Sequence, residues 1–507
     1  MVVSGTNYKS YIQNHGGRVL LLFLLFLLAL YEFYSMGITG LALVCSIPAV
    51  ILIIILAFRF RMLLFWALCI VNYFIQMKDI TLPIPTSAPN EMLEIVLLIL
   101  ALIEVNELKM ERTGNIMLYV LLIWCGFCTL EVLNDTCDLG INIGAWYTGA
   151  RMMAFQLLYA FMVYILYITD PKKLINYLFI WGALSLFACF WVWKQKNIGF
   201  TAAESSWIWG RGRATHILQG GSLVRYYSIY SDAASFGIGI ASTSVAFLIF
   251  ALTSKIKRHK IFFAIVGFAC LWAMFPSGTR TAIFCFFAGV MAYIVLSKNV
   301  KIAVSVTVLF AIFVFILAFT NIGEGNQQIR RMRSAFDRND ASTAVRSINQ
   351  QTMRKYMKEA PWGIGLGMGY ENVPTNNKYW KMATIAPDSE YIFIWLRTGA
   401  IGITLFLITT AVMLIGACCV VFFTLKSPSL RGVGAGLCCG FVALQLGGYG
   451  NQVLMQFPNC LIFYGGLALV YALPYFEDEW VQYEEQLFAE QEERKRLKLE
   501  KKKASRV

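Results

Sequence analysis

Long apolar runs separated by short polar breaks make up most of the chain. Hydropathy marks fourteen of them, near 19–37, 38–58, 62–77, 92–105, 116–134, 155–169, 175–193, 236–252, 261–275, 282–297, 302–320, 399–424, 433–450 and 460–476. Runs of this length outlast a buried strand and suit helices that cross a bilayer. The pattern predicts an all-α polytopic integral membrane protein with about 14 transmembrane helices. The first 17 residues are polar, and the run after Arg18 is as long as a span and ends in no small-residue cleavage pattern. It is therefore expected to be a first transmembrane helix and not a cleaved signal.

Lysine and arginine recur in every second connection: Arg59 and Arg61, Lys109 and Arg112, Lys172 and Lys173, Lys255 to Lys260, Lys298 and Lys301, then Lys426 and Arg431. Short cytoplasmic loops carry such an excess, so both termini are expected in the cytoplasm. The chain then divides into a cytoplasmic segment 1–18, helices 1–11 over 19–320 with an outer loop 197–235, a large outer loop 321–398, helices 12–14 over 399–476, and a charged tail 477–507. The tail is expected to be a solvated or headgroup-bound helix. Residues 135–154, with Arg151, are expected to form another outer loop.

Composition narrows the function. At 58% hydrophobic and 14% charged, the net charge of +14 has no soluble basic domain from which to bind nucleic acid. All thirteen cysteines but Cys137 fall in or beside apolar runs, where thiols act as packing residues. The pair Cys125 and Cys128 lies inside a span, which disfavours a redox or metal role. By the predicted topology the outer side holds twelve arginines against seven lysines, and the inner side nine against fifteen. Arginine's planar fork suits phosphate, although headgroup contacts and ordinary ion pairs would also use it.

The large outer loop carries the arginines Arg330, Arg331, Arg333 and Arg338, a helix predicted over 342–360, the glycine turn PWGIGLG (361–367) and the string PDSEY (387–391). Arg346, Gln350, Arg354 and Lys358 give that helix one basic stripe. Arg330, Arg331 and Arg333 are expected to be surface headgroup contacts. In the loop 197–235, Trp207, Trp209, Tyr226 and Tyr227 interleave with Arg211 and Arg225. Aromatic faces over sugar rings beside arginines on phosphate would suit a glycolipid, and an interfacial aromatic belt would look the same. Arg280 stands in the short turn PSGTRT, close enough to the bilayer to be expected to face a protein cavity.

Three stretches together, RYYSIYSDAASFG (225–237), PSGTRTA (276–282) and the run from Arg346 through PWGIGLG to PDSEYIFIWLRTGAIG (387–402), resemble the bacterial O-antigen polymerase and O-antigen ligase superfamily. The likeness spans roughly 150–425. It implies a GT-C-like, metal-independent glycosyltransferase without cofactor in the bacterial cytoplasmic membrane. Such an enzyme would polymerise undecaprenyl-pyrophosphate-linked repeat units into surface polysaccharide, O-antigen or capsule, on the outer face. The partners implied are lipid-linked glycan donor and acceptor, membrane lipids and a chain-length regulator protein. For that reaction Arg211, Arg225, Arg280, Arg346 and Arg354 would neutralise the leaving pyrophosphate. Trp207, Trp209, Tyr226 and Tyr227 would stack on sugar. Asp388 would be the base, with Glu390 as its competitor; Asp388 could instead simply cap the next helix.

The superfamily's ligases carry a histidine-asparagine pair where this chain has Asp388 and Ser389, and the only histidine on the predicted outer side is His216. Polymerase is thus favoured over ligase. A flippase would place ionisable groups near mid-membrane and have short outer loops, and the sequence reads the other way. An inert membrane scaffold is the remaining alternative.

Overall fold

The computed structural model describes residues 59–80, 87–103, 110–218, 223–297, 341–385 and 387–504, with scattered positions in 16–37 and 304–333. The chain divides into units 1–64 and 65–507. The first contributes a short apolar helix, Phe23–Glu32, and everything below concerns the second.

Its helices are α1 (Arg61–Phe74, followed here from Phe65), α2 (Ala88–Ile103), α3 (Ile116–Leu130), α4 (Ile143–Tyr167), α5 (Pro171–Asn197), α6 (Ala202–Trp209), α7 (Ala233–Thr253), α8 (Lys257–Ala273), α9 (Arg280–Ser297), α10 (Ala341–Met357), α11 (Glu390–Cys419), α12 (Pro428–Gly450), α13 (Asn459–Ala472) and α14 (Glu477–Ala504). The described strands, Ile217–Leu218 and Leu223–Val224, form one small hairpin.

Among the described residues nine helical segments are long and apolar enough to cross a membrane. Of the fourteen expected spans, 62–77 and 92–105 are met by the shorter α1 and α2. The runs 19–37 and 302–320 are only partly described, and 38–58 lies outside the described residues.

Small residues decide which helices go to the centre. The spans of α7, α12 and α13 are 83%, 83% and 89% buried, and α7 packs on both α8 and α12. Glycine and alanine let such backbones approach closely where lipid supplies no hydrophobic drive. At Gly436 of α12 a Cβ would collide with the Phe250 ring and stand 2.9 Å from the Ala246 carbonyl of α7.

Three boundaries differ from expectation. The loop expected over 135–154 is helical from Ile143, because Arg151, which interrupts the apolar pattern, is neutralised by Glu91 at 3.3 Å. The large loop, expected to end at 398, ends at Ser389, since α11 begins at Glu390. The tail is not free at its start. Glu477 accepts from the amides of Lys426 (2.7 Å) and Ser427 (2.5 Å) at the start of α12, Trp480 donates to Ser429 Oγ (3.0 Å), and Glu484 pairs with Lys255 (3.0 Å). Buried Trp480 thus docks the tail against the loops predicted to be cytoplasmic.

Candidate functional site

The three motifs meet at the end of the bundle opposite the tail, around a loop that hydropathy passes over: Asn451 to Asn459, with the sequence NQVLMQFPN. Its amides reach in every direction. Asn451 Nδ2 donates to Thr281 Oγ1 (3.3 Å), Gln452 Nε2 to the Pro387 carbonyl (2.8 Å), and Asn459 Nδ2 to the Ser235 carbonyl (3.2 Å). Ser231 Oγ donates to Gln456 Oε1. A cluster of amides between two apolar spans was the available signal, because buried amides need partners.

Within the first motif, Arg225 is a clamp. Its Nε donates to the Ser277 carbonyl (3.1 Å), Nη1 to the Thr215 carbonyl (2.9 Å) and Nη2 to Thr279 Oγ1 (2.9 Å). Gly278 adopts a left-handed φ of 57° at the centre of PSGTR, and Arg331 Nε donates to its carbonyl at 2.7 Å. Arg331 is therefore part of this site, which corrects its reading as a headgroup contact. Arg280 begins α9 immediately after the turn and is half-buried.

The aromatic residues split. Tyr227 is fully buried, with Phe200 stacked 6.1 Å away and Trp207 4.8 Å away, so it packs the loop and its faces are closed to sugar. Trp207 is half-buried against Lys78, whose Nζ lies 4.3 Å over the ring, and against His216 at 4.9 Å. Burial pushes the Lys78 ammonium down to about 8. Tyr226 stacks on Phe200 at 5.7 Å, and Trp209 is exposed. Arg211 is exposed too, and its charge reaches the Tyr370 hydroxyl of the large loop.

His216 is held neutral. Its Nε2 accepts from the Ala233 amide (3.0 Å), and its Nδ1 lies 3.1 Å from the Gly212 carbonyl, which can only accept, so Nδ1 carries the proton. Burial first, then the charge of Arg225, push this imidazole down to about 4. The one histidine expected outside is thus a buried structural residue.

The large loop folds as a cap. Met353, Met357, Ile364, Met368, Val373, Tyr379 and Met382 form a core with Cys137 and Leu396. The cap is joined to α11 where that helix breaks at Gly399 (φ 66°, ψ −167°). The break sets the Leu396 and Arg397 carbonyls free, and the glycine turn satisfies them through the amides of Ile364 (3.0 Å) and Gly365 (3.0 Å). Asn134 donates to the Trp362 carbonyl at 2.9 Å, and a cavity of about 500 Å³ opens between Trp362 and the end of α3, lined by Phe127, Leu130, Glu131 and Asn134.

The two candidate bases have different surroundings. Asp388 is exposed at the end of the cap, beside Gln452. The N-cap of α11 is Ser389, whose hydroxyl goes to the Gly448 carbonyl (3.1 Å). Glu390 is buried and accepts from the Leu454 amide (2.9 Å), so it anchors the 451–459 loop. Arg354 is exposed on α10. Arg346 lies on α10, and its side chain, like all of Arg338, is outside the described residues.

Two carboxylates enter the start of a helix. Glu91 and the fully buried Glu94 stand in the first two turns of α2, where Glu94 accepts from Gln156 at 2.6 Å and Glu91 pairs with Arg151. The cluster leans on the same loop, since Asn90 donates to Asn72 (3.2 Å) and Asn72 to the Pro458 carbonyl (3.2 Å).

Residues 265–407 match the protein-family model described as O-antigen ligase. The match runs from α8 through Arg280, the cap and Asp388 into α11, and it is consistent with the O-antigen polymerase and ligase superfamily. It points to a glycan-processing membrane enzyme. No curated protein matches the chain.

Proposed function

We propose that this protein is a glycosyltransferase that polymerises undecaprenyl-pyrophosphate-linked oligosaccharide units at the outer face of the bacterial cytoplasmic membrane. The observation that supports it most is the meeting of PSGTRT, RYYSIYSDAASFG and PDSEY around one amide-rich loop. Asp388, exposed at that junction, is the base that takes the proton of the attacking sugar hydroxyl. The anomeric carbon–oxygen bond of the donor then breaks, and the electron pair leaves with undecaprenyl pyrophosphate. Arginine charge near the leaving group does the electrostatic work, a role in which one lost donor costs about 3 to 4 kcal/mol. Arg280 and Arg346 are the candidates, since Arg225 is spent on its clamp.

Purified protein reconstituted with a lipid-linked repeat unit should produce a ladder of lengths. Asp388→Asn should lower that rate by about 10² to 10⁴ while inserting normally, and Glu390→Gln should show its defect in stability first. A single transfer to a lipid or protein acceptor with no ladder would assign the ligase activity instead. Wild-type chain lengths from Asp388→Asn would remove Asp388 from the mechanism.

A further inference from the structure

Arg397 lies seven residues into α11, two residues before the break at Gly399, under the arch of the cap. Its backbone is fixed, because its carbonyl accepts from the Gly365 amide. Its guanidinium Nε and Nη1 are shielded from solvent, yet neither meets an acceptor among the described residues. Around the group stand the Phe393 ring, 5.2 Å away, the Cys137 thiol, which feels the charge, and Gly369, where a Cβ would stand 3.8 Å from Nη2.

No ion pair to it forms among the described residues. Asp135 and Asp138 act on Cys137, but Asp135 Oδ1 already accepts from the amides of Leu139 (2.8 Å) and Gly140 (2.9 Å). Arginine keeps its proton at neutral pH, so a full positive charge stays under the cap without a counter-charge in contact among the described residues. A charge left buried and unpaired destabilises a fold. Near a bilayer such a group by default marks a place where a substrate or ion supplies the partner.

We propose that Arg397 is an anion-binding residue whose guanidinium takes a phosphate group of an isoprenoid-linked or other membrane lipid beneath the 361–369 arch. The planar fork offers two parallel donors to phosphate oxygens. The 500 Å³ cavity beside Trp362 has Asn134 and Thr136 in its wall, next in sequence to Cys137, so it flanks the same arch. That the lipid is a glycan carrier rests on the glycosyltransferase reading; the anion site does not.

The test uses the full chain in nanodiscs of neutral lipid, with farnesyl pyrophosphate, inorganic pyrophosphate and phosphatidylglycerol as separate probes, and compares wild type with Arg397→Met and Arg397→Lys. Arg397→Met should bind farnesyl pyrophosphate or phosphatidylglycerol at least tenfold more weakly and melt no lower than wild type. Arg397→Lys should fall between. Whichever probe shows the dependence names the source of the phosphate. Equal affinity in wild type and Arg397→Met for every probe would overturn the proposal, as would a lost affinity that comes with a lower melting temperature. Should Arg397→Met not fold, a folded Arg397→Lys with wild-type affinity would overturn it. Arg397-dependent binding by a wild-type protein that makes no glycan product would defeat the glycosyltransferase reading alone. Unchanged binding in an Arg397→Met protein that still polymerises would defeat this proposal alone.

Discussion

Arg225 joins the loop before α7 to the turn before α9 through three donors on one rigid plane. Net bonds from charged donors are worth about 1.5 to 3 kcal/mol each when made. Arg225 is only half-buried and water replaces part of what is lost, so Arg225→Ala should destabilise by about 2 to 4 kcal/mol, less than the sum of three such bonds, and Arg225→Lys should recover only part, since an ammonium lacks the fork. Thermal melts of the solubilised variants check this; melts equal to wild type would return Arg225 to the pool of substrate ligands. His216 offers a pH test at the same scale. Its folded pKa of about 4 lies below the ~6.5 of a free imidazole. Above pH 6.5 both folded and unfolded chains are neutral there and the stability is whole. As pH falls from 6.5 towards 4, only the unfolded chain takes up the proton, and stability drops by on the order of 3 kcal/mol. With three histidines in the chain, an isotope-edited NMR titration should find one imidazole neutral until about pH 4, and its loss in His216→Gln assigns it.

Among the elements, the joint between cap and α11 depends on backbone that only glycine allows. At Gly399 φ is 66°, and an added Cβ would run into the Pro361 carbonyl and the Gly363 amide. Gly399→Ala should cost about 2 kcal/mol or more from the left-handed conformation and the clash together. Its readout is faster proteolysis within 361–385 and a lower melting temperature. Gly126, in α3 with open space around it, provides the control: Gly126→Ala should be neutral or stabilising by about 0.5 to 1 kcal/mol. Equal proteolysis in the two variants would mean that the joint does not hold the cap. The nine described spans were legible in the sequence because lipid demands long apolar runs, and the cap helix was legible because its apolar residues recur at helical spacing: 342–360 was expected and Ala341–Met357 is found. The start of α4 was hidden by Arg151, whose charge reads as a loop until Glu91 is seen beside it. The 451–459 loop was hidden for another reason. Its amides make sense only through partners far along the chain, at 235, 281 and 387. The same distance effect kept Arg397, which reads locally as an ordinary boundary arginine, out of the expected site.

Seen whole, unit 65–507 sorts its connections onto two ends. One end gathers Lys78 with Ser231, the 276–281 turn, the cap and the 451–459 loop. The other gathers Arg112 with Thr169, Lys255 with Glu484, and Lys426 and Ser427 with Glu477. Every described helix from α2 to α5 and from α7 to α9 runs from one end to the other, as do α11, α12 and α13. This is the alternation that the lysine and arginine pattern predicts from 62 onward. Between Ser297 at the tail end and Arg331 against Gly278, the chain must return to the cap end, as the span expected over 302–320 requires. The lysine-rich connections fall on the tail end, so that end should be cytoplasmic and the cap should face outward. Alkaline phosphatase, active only after export, should work when fused at Thr375, exposed in the cap, and stay inactive when fused at Lys426. The two positions are separated by α11 alone, so no uncertainty about earlier spans can alter their opposition; it can only invert both together. Activity at Lys426 with none at Thr375 would turn the cap inward, away from any substrate delivered on the outer leaflet, and the polymerase reading would fall with it. Activity at both would instead deny that α11 crosses the membrane, against its 35-residue apolar span from Glu390 to Thr424.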